Sequence, residues 1–269
     1  MLDEIRFNHR GGPMDDRHSW SFLQNQSTFV NRFDEFTRGT MTAIKIQELE
    51  FAWQPGHPVL KIDSFDVAAG EHVFLHGPSG SGKTTLLGIL GGILDAGRGR
   101  VEVLGRDLKG LSRRDRDRFR GSHFGFIFQM FNLIPYLSVT ENIMLPCKVS
   151  KARGSRVKGS LEAEAKRLAT SLEIDAALSR PVTALSVGQQ QRVAAARALM
   201  GAPEIIIADE PTSALDSDRR EKFLSLLFAE ARRSSATVLF VSHDRALESM
   251  FQRAVSLPSI NRAASRRED

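Results

Sequence analysis

Apolar and polar residues begin to alternate at Ile44. Over 44–53 and 59–67 the apolar ones recur at about every second position, the period of a strand with one buried face. QPGHP between the two runs supplies a turn. Residues 72–77 form a short apolar strand that runs into glycines, and 83–94 continue as a helix. A strand over 100–104, a charged helix over 107–120 and a strand over 123–129 follow. Helices dominate 138–178 and return over 187–200. The isoleucine-rich 204–209 carries the mark of a parallel strand buried on both faces. A helix over 217–233 leads from it to a further buried strand at 237–242. This order predicts an α/β fold with a mainly parallel sheet, an N-terminal antiparallel β subdomain and an inserted α-helical subdomain at about 130–188.

The flanks read differently. RGGPMDDRHSW and QNQSTFVNRFDEFTRGT are polar and hold no sustained period. Residues 1–40 are therefore expected to be a disordered extension. Because the strand period starts just after Met41, a native start at Met41 is a second reading. Residues 258–269 are expected to form a C-terminal tail, which leaves 41–257 as the folded domain. KVSKARGSRVKGS, at 148–160, reads as a solvated basic loop. RRDRDRFR, at 113–120, alternates in sign and reads as the wet face of a helix, not as a nucleic-acid contact.

Composition narrows the class. Hydrophobic residues fill 41% of the 269 positions, enough for a full globular core. The formal charge of +5 suits anionic ligands or an anionic membrane surface. It is too mild to imply nucleic acid, and no nucleic-acid partner is expected. The single cysteine, Cys147, excludes an internal disulfide and fits a reducing compartment. The most apolar stretch, 86–94, contains three glycines and falls far short of the roughly 20 residues that cross a bilayer. Any membrane role must then come through a partner.

Three segments carry chemistry. GPSGSGKTT, from Gly77 through Pro78, Ser79, Gly80, Ser81, Gly82, Lys83 and Thr84 to Thr85, fits G-x-x-x-x-G-K-[ST] between a strand and a helix. Its glycines let the loop curl so that successive N–H groups face a phosphate, and the following helix adds its positive end. Lys83 is placed to reach the β- and γ-phosphates, Thr84 to offer a hydroxyl to Mg²⁺, and Thr85 to bond the α-phosphate. The ligand implied is a nucleoside triphosphate with Mg²⁺. The second segment, EIIIADEP, delivers Asp209 and Glu210 at the end of a buried strand. Asp209 suits the Mg²⁺ shell, and Glu210 suits a general base on the attacking water. In the third, LSVGQQQRVAAARALM, Ser186 and Gln189 form a capping box at a helix start beside Gly188. This is either a second anion site or a plain capped surface helix.

Taken together, the chain resembles the ATP-binding subunit of an ATP-binding cassette (ABC) transporter, a P-loop NTPase, over roughly 43–257. GPSGSGKT resembles that family's Walker A motif, IIIADE its Walker B and LSVGQ its signature. SALD resembles the D-loop, Gln129 the Q-loop glutamine and His243 the switch histidine. Trp53 sits where an aromatic stacks on adenine. The resemblance implies ATP hydrolysis by two copies paired head to tail. Ser186, Gly188 and Gln189 of one would meet the γ-phosphate held by Lys83 of the other. His243 would help hold that phosphate, Gln129 would sense Mg²⁺ and water, and Asp216 would link the two sites.

FGFIFQMFNLIPYLSVTENIMLP further resembles the branch of lipoprotein-release, macrolide-efflux and cell-division ATPases. That implies a peripheral protein on the cytoplasmic face of the inner membrane, with an integral membrane permease docked near 129–146. Phe131, Leu133, Ile134, Pro135, Tyr136 and Leu137 are the candidate contacts. The signature departs from the family at Val187, where glycine is usual. A β-branched residue resists positive φ, so either the backbone there is ordinary or the signature is impaired. A soluble ABC ATPase acting on nucleic acid or ribosomes, and a mechanical transmitter without solute transport, are the competing functions.

Overall fold

The computed structural model describes residues 41–213 and 215–263. The expected extension over 1–40 and the proposed start at Met41 concern residues that lie largely outside that range. The first sheet is antiparallel, in the order β2-β1-β4-β5. Its strands are β1 (Thr42–Gln54), β2 (His57–Ala68), β4 (Arg98–Val103) and β5 (Arg106–Asp107). The second sheet has the order β6-β7-β8-β3-β9. It comprises β3 (His72–His76), β6 (Phe124–Ile127), β7 (Ile205–Asp209), β8 (Thr237–Ser242) and β9 (Arg253–Ser256), and every pairing in it is parallel.

The parallel sheet is a wall between two cores. Phe74, Ile206, Val238 and Phe240 belong to one core, while Val73, Leu75, Ile205, Ile207, Leu239 and Val241 belong to the other. Successive side chains of a strand point to opposite faces, so continuous apolar runs are what a doubly covered sheet requires. The antiparallel sheet and α1 (Lys83–Leu90) cover one face. The helical insertion covers the other with α3 (Val139–Val149), α5 (Leu161–Ser171) and α6 (Val187–Leu199). The short α4 (Lys151–Gly154) follows α3, and α2 (Arg113–His123) precedes β6. The chain then runs through α7 (Ser217–Arg233), β8 and β9 to α8 (Leu257–Ile260).

Several boundaries differ from expectation for local reasons. The helix expected to reach residue 94 ends at Leu90, because Gly91 caps it and Gly92 turns left-handed. The charged helix expected from 107 starts at Arg113, where Ser112 Oγ accepts the Asp115 N–H at 3.2 Å. The basic stretch 148–160 is not a solvated loop. Arg153 is 2% exposed, and its guanidinium donates to the carbonyls of Phe124, Ala198 and Met200. Arg156 donates to Ser122 O and to both oxygens of Glu204. These arginines tie the insertion to the ends of β6, α6 and β7. Residues 258–263 likewise pack instead of trailing as a tail. Asn261 is 1% exposed, accepts the Lys61 N–H at 2.8 Å and donates to Val59 O at 2.9 Å.

Candidate active site

The C-terminal ends of the parallel strands open on a cleft of about 760 Å³. The loop after β3 forms its floor. Gly80 and Gly82 take φ of 76° and 100°, values that β-carbon-bearing residues rarely adopt. At Gly82 a Cβ would also lie 2.8 Å from Leu60 Cδ2. The loop therefore curls tightly against β2, as expected of a phosphate cradle. Lys83 is 9% exposed, and its Nζ donates to Gly77 O at 2.8 Å and Pro78 O at 3.0 Å. Gly77, Pro78 and Ser81 thus build the loop from behind, while Ser79, Gly80, Gly82, Lys83, Thr84 and Thr85 line the cleft. Ser81 Oγ is buried without a partner, and Asn261 Nδ2 holds Ser81 O at 3.3 Å. Helix α1 starts here with no side-chain cap and no acidic residue in its first turn. Its positive end and first N–H groups are left to an anion.

The opposite wall carries the acids. Asp209 ends β7, and burial raises its carboxyl above the usual carboxylate range. Neighbouring Glu210 adds to the rise, and Lys83 opposes it. Glu210 has φ 45°, and its N–H donates to Val241 O at 2.8 Å. A left-handed glutamate costs on the order of 1–3 kcal/mol and persists only where the surroundings impose it. Here it turns the chain sharply off β7. Glu210 Oε2 accepts a hydrogen bond from His243 Nδ1 at 2.7 Å. Gln129, just beyond β6, completes this wall. Trp53 lies at the rim, 62% exposed, its ring edge-on to Phe51 at 5.1 Å. Val59 also lines the cleft, a residue that the strand period marked only as one more apolar position.

The oxygen donors Thr84, Gln129 and Asp209 share this cleft, and a cation would offset the burial cost of Asp209. Such hard donors fit Mg²⁺, which uses few protein ligands when it also binds phosphates. Among the described residues no cluster of three or more His, Cys, Asp or Glu forms a separate metal centre.

The signature residues lie elsewhere. Ser186, Val187, Gly188 and Gln189 line a second cleft of about 430 Å³ with Arg192, Leu215, Arg219 and Phe223. Ser186 Oγ accepts the Gln189 N–H at 3.3 Å, and Gln189 Oε1 accepts the Ser186 N–H at 3.0 Å. The two clefts share no lining residue. Val187 is the first residue of α6, has no positive φ and is 49% exposed. Of the two readings of this departure, the ordinary backbone is the one observed. A Cβ on Gly188 would meet only Leu215, at 3.7 Å, so nothing inside this chain demands glycine there. Asp216 lines neither cleft and caps α7, accepting the Arg219 N–H at 3.0 Å.

The family profile for the ABC transporter domain matches residues 60–213. The chain is 39% identical over 199 residues to "Lipoprotein-releasing system ATP-binding protein LolD 2" of Rhodospirillum rubrum, covering 74% of this chain and 85% of that one. It is 42% identical over 187 residues to "ABC transporter ATP-binding protein YtrE" of Bacillus subtilis, covering 70% and 79%. Among solved structures, the ATP-binding cassette MJ0796, a dimer in a post-hydrolysis state with ADP and Pi, matches with a TM-score of 0.69 and 33% identity. The match covers 79% of this chain and 93% of that one.

Proposed function

This chain belongs to the ABC transporter family and is an ATP-binding, ATP-hydrolysing subunit, and we propose that two copies close head to tail on ATP to drive a separate membrane permease. The separation of the two clefts carries this reading. One chain holds a phosphate cradle with its acids, and a capped helix start on a different surface, with no residue in common. A second copy would bring its Ser186 and Gly188 to the triphosphate held by Lys83. The dimeric MJ0796 cassette supports the arrangement.

In the closed pair, Lys83 and the loop N–H groups would hold the phosphates, and Trp53 would stack on the base. Thr84, Gln129 and Asp209 would hold Mg²⁺, which supplies positive charge against the phosphate oxygens when bound. Glu210 is held against His243 at 2.7 Å, so its second oxygen is free to accept a proton from the attacking water. His243, which lines the cleft and has its side chain 64% exposed, would contact the γ-phosphate. Asp216, beside the second cleft, would relay between the two sites. Loss of the γ-phosphate would remove the group that both copies grip, and the pair would open.

The permease would dock along 129–146. Met130 is 81% and Tyr136 84% exposed, whereas Phe131 is 7% exposed and belongs to the core. Phe131 is therefore withdrawn from the expected contacts, and Leu133 packs partly against the same core. No helix among the described residues is long and apolar enough to cross a membrane. The relatives, named as ATP-binding proteins of a lipoprotein-releasing system, support a peripheral subunit on the cytoplasmic face. The names of the relatives support a transport subunit, with export or work on extracytoplasmic substrates, over action on nucleic acid.

The test uses Glu210→Gln, which should bind ATP without turning it over. Light scattering with ATP and Mg²⁺ should give the mass of a dimer, and a monomer at saturating nucleotide would reject the head-to-tail reading. Affinity capture from native membranes should bring an integral membrane protein. Ribosomal or DNA-binding proteins in its place would return the function to the nucleic-acid class.

A further inference from the structure

Two successive non-glycine residues, Phe131 and Asn132, take φ of 57° and 49° just after Gln129 and Met130. Left-handed backbone at a bulky residue must be imposed by its surroundings. Two side chains hold this segment. Asn142, fully buried on α3, accepts the Ile134 N–H at 2.8 Å and donates to the carbonyls of Ile134, Leu137 and Ser138. Arg197, in the last turn of α6, donates to Phe131 O and to Asn132 O, both at 2.6 Å. A planar guanidinium can fix two neighbouring carbonyls at once, which a lysine ammonium does far less well.

Arg197 shares its helix with Ser186 and Gly188. Helix α6 spans 13 residues, about 20 Å at the rise of an α-helix, and runs from the second cleft to the loop that carries Gln129. We propose that Arg197 is a positioning residue for Gln129. It clamps Phe131 O and Asn132 O and so fixes the course of the chain just after Gln129, which lines the first cleft. The proposal rests on the reading that Gln129 serves the metal and water of that cleft. The plain alternative is that Arg197 only favours the C-terminal end of α6 and supports the fold.

A double-mutant cycle on the full chain separates these, with ATPase kinetics and thermal unfolding measured for Arg197→Lys, Gln129→Ala and the pair. Arg197→Lys keeps the charge and loses the two-carbonyl clamp. Its kcat should fall about 10- to 100-fold, the scale of a misplaced catalytic group. Its KM for ATP should stay within about twofold of wild type, since cradle binding is untouched. The pair should be little slower than Gln129→Ala alone, because both changes act through one group. Wild-type kcat in Arg197→Lys, or losses that multiply in full in the pair, would overturn the clamp while leaving the role of Gln129 in place. Wild-type kcat in Gln129→Ala would instead remove the reading beneath it and the inference with it. Should Arg197→Lys fail to fold, Arg197→Gln takes its place in the same cycle, with the same outcomes deciding.

Discussion

The two clefts are built in opposite ways. The first holds tension, in a left-handed φ at Glu210 and an aspartate whose carboxyl is raised by burial, beside a glycine loop and a lysine docked on carbonyls. The second is relaxed, with a capping box satisfied in both directions, a helical backbone and an exposed Val187 at its first position. Groups that meet charge gain from being fixed in advance in a partly dry site, and the fold bears the cost of holding them there. Groups that only meet a partner need to stay accessible. In the proposed reading, the chemistry of ATP hydrolysis belongs to the first cleft and the second is a surface for a neighbour.

The largest effects should divide along that line. Glu210→Gln in the tense cleft should lower kcat by on the order of 10²–10⁴-fold, the range for a lost general base, with ATP still bound. Turnover at the wild-type rate would discard Glu210 as the base. In the relaxed cleft, Gly188→Asp would set a carboxylate against the partner's triphosphate. Hydrolysis should fall by at least the roughly 10²-fold that loss of one transition-state donor costs. Stability should move the other way. An acid in the first turn of a helix is favourable by about 0.3–1 kcal/mol, and only Leu215 lies near the new Cβ. A loss of stability in urea unfolding would show that this surface has an internal role that the geometry does not reveal.

What the sequence disclosed follows the same division. Strand alternation, isoleucine-rich runs and the Ser186–Gln189 capping box are local signals, and each element that they marked is present. The cradle was legible because its glycines and lysine must stand at fixed spacing. The backbone of Glu210 was not, because nothing local to ADEP forces a positive φ; the bond from its N–H to Val241 O comes from another strand. Strand β9 escaped notice because four half-exposed residues show no period, and only its parallel pairing with β3 makes it a strand. The arginines at 153 and 156 read as solvated because composition cannot tell a surface cation from one that clasps carbonyls 29 and more residues away. Nor did the sequence place Phe131 in the core, since an apolar loop residue is equally suited to a partner.

Asp209 gives a smaller test of stored tension. Its folded-state carboxyl is raised, so ionising it at neutral pH costs stability. That cost is fully present above the raised value and disappears as pH falls below the unfolded one. Asp209→Asn should therefore stabilise the nucleotide-free protein at neutral pH by roughly 0.5–2 kcal/mol, the usual scale of a single stabilising substitution. The gain should shrink toward about pH 4, in the ordinary carboxylate range. Mg²⁺ with ATP should raise the melting temperature of the wild type far more than that of the variant. A variant less stable than wild type at neutral pH would mean that Asp209 is anchored by interactions that outweigh its burial.

The smallest effect belongs to Val187. Because this position is ordinary helix, Val187→Gly relieves no strain and should lose only a few tenths of a kcal/mol of helix propensity. It also removes an exposed apolar side chain from the face that would meet the partner's ATP. Hydrolysis should then stay at the wild-type rate or rise, and ATP-driven dimerisation should be unchanged or tighter. A rate that falls severalfold with intact ATP binding would give Val187 a positive part in closure, such as excluding water from the joined site. The second cleft would then carry a tuned contact of its own, and the contrast with the first would be one of exposure alone.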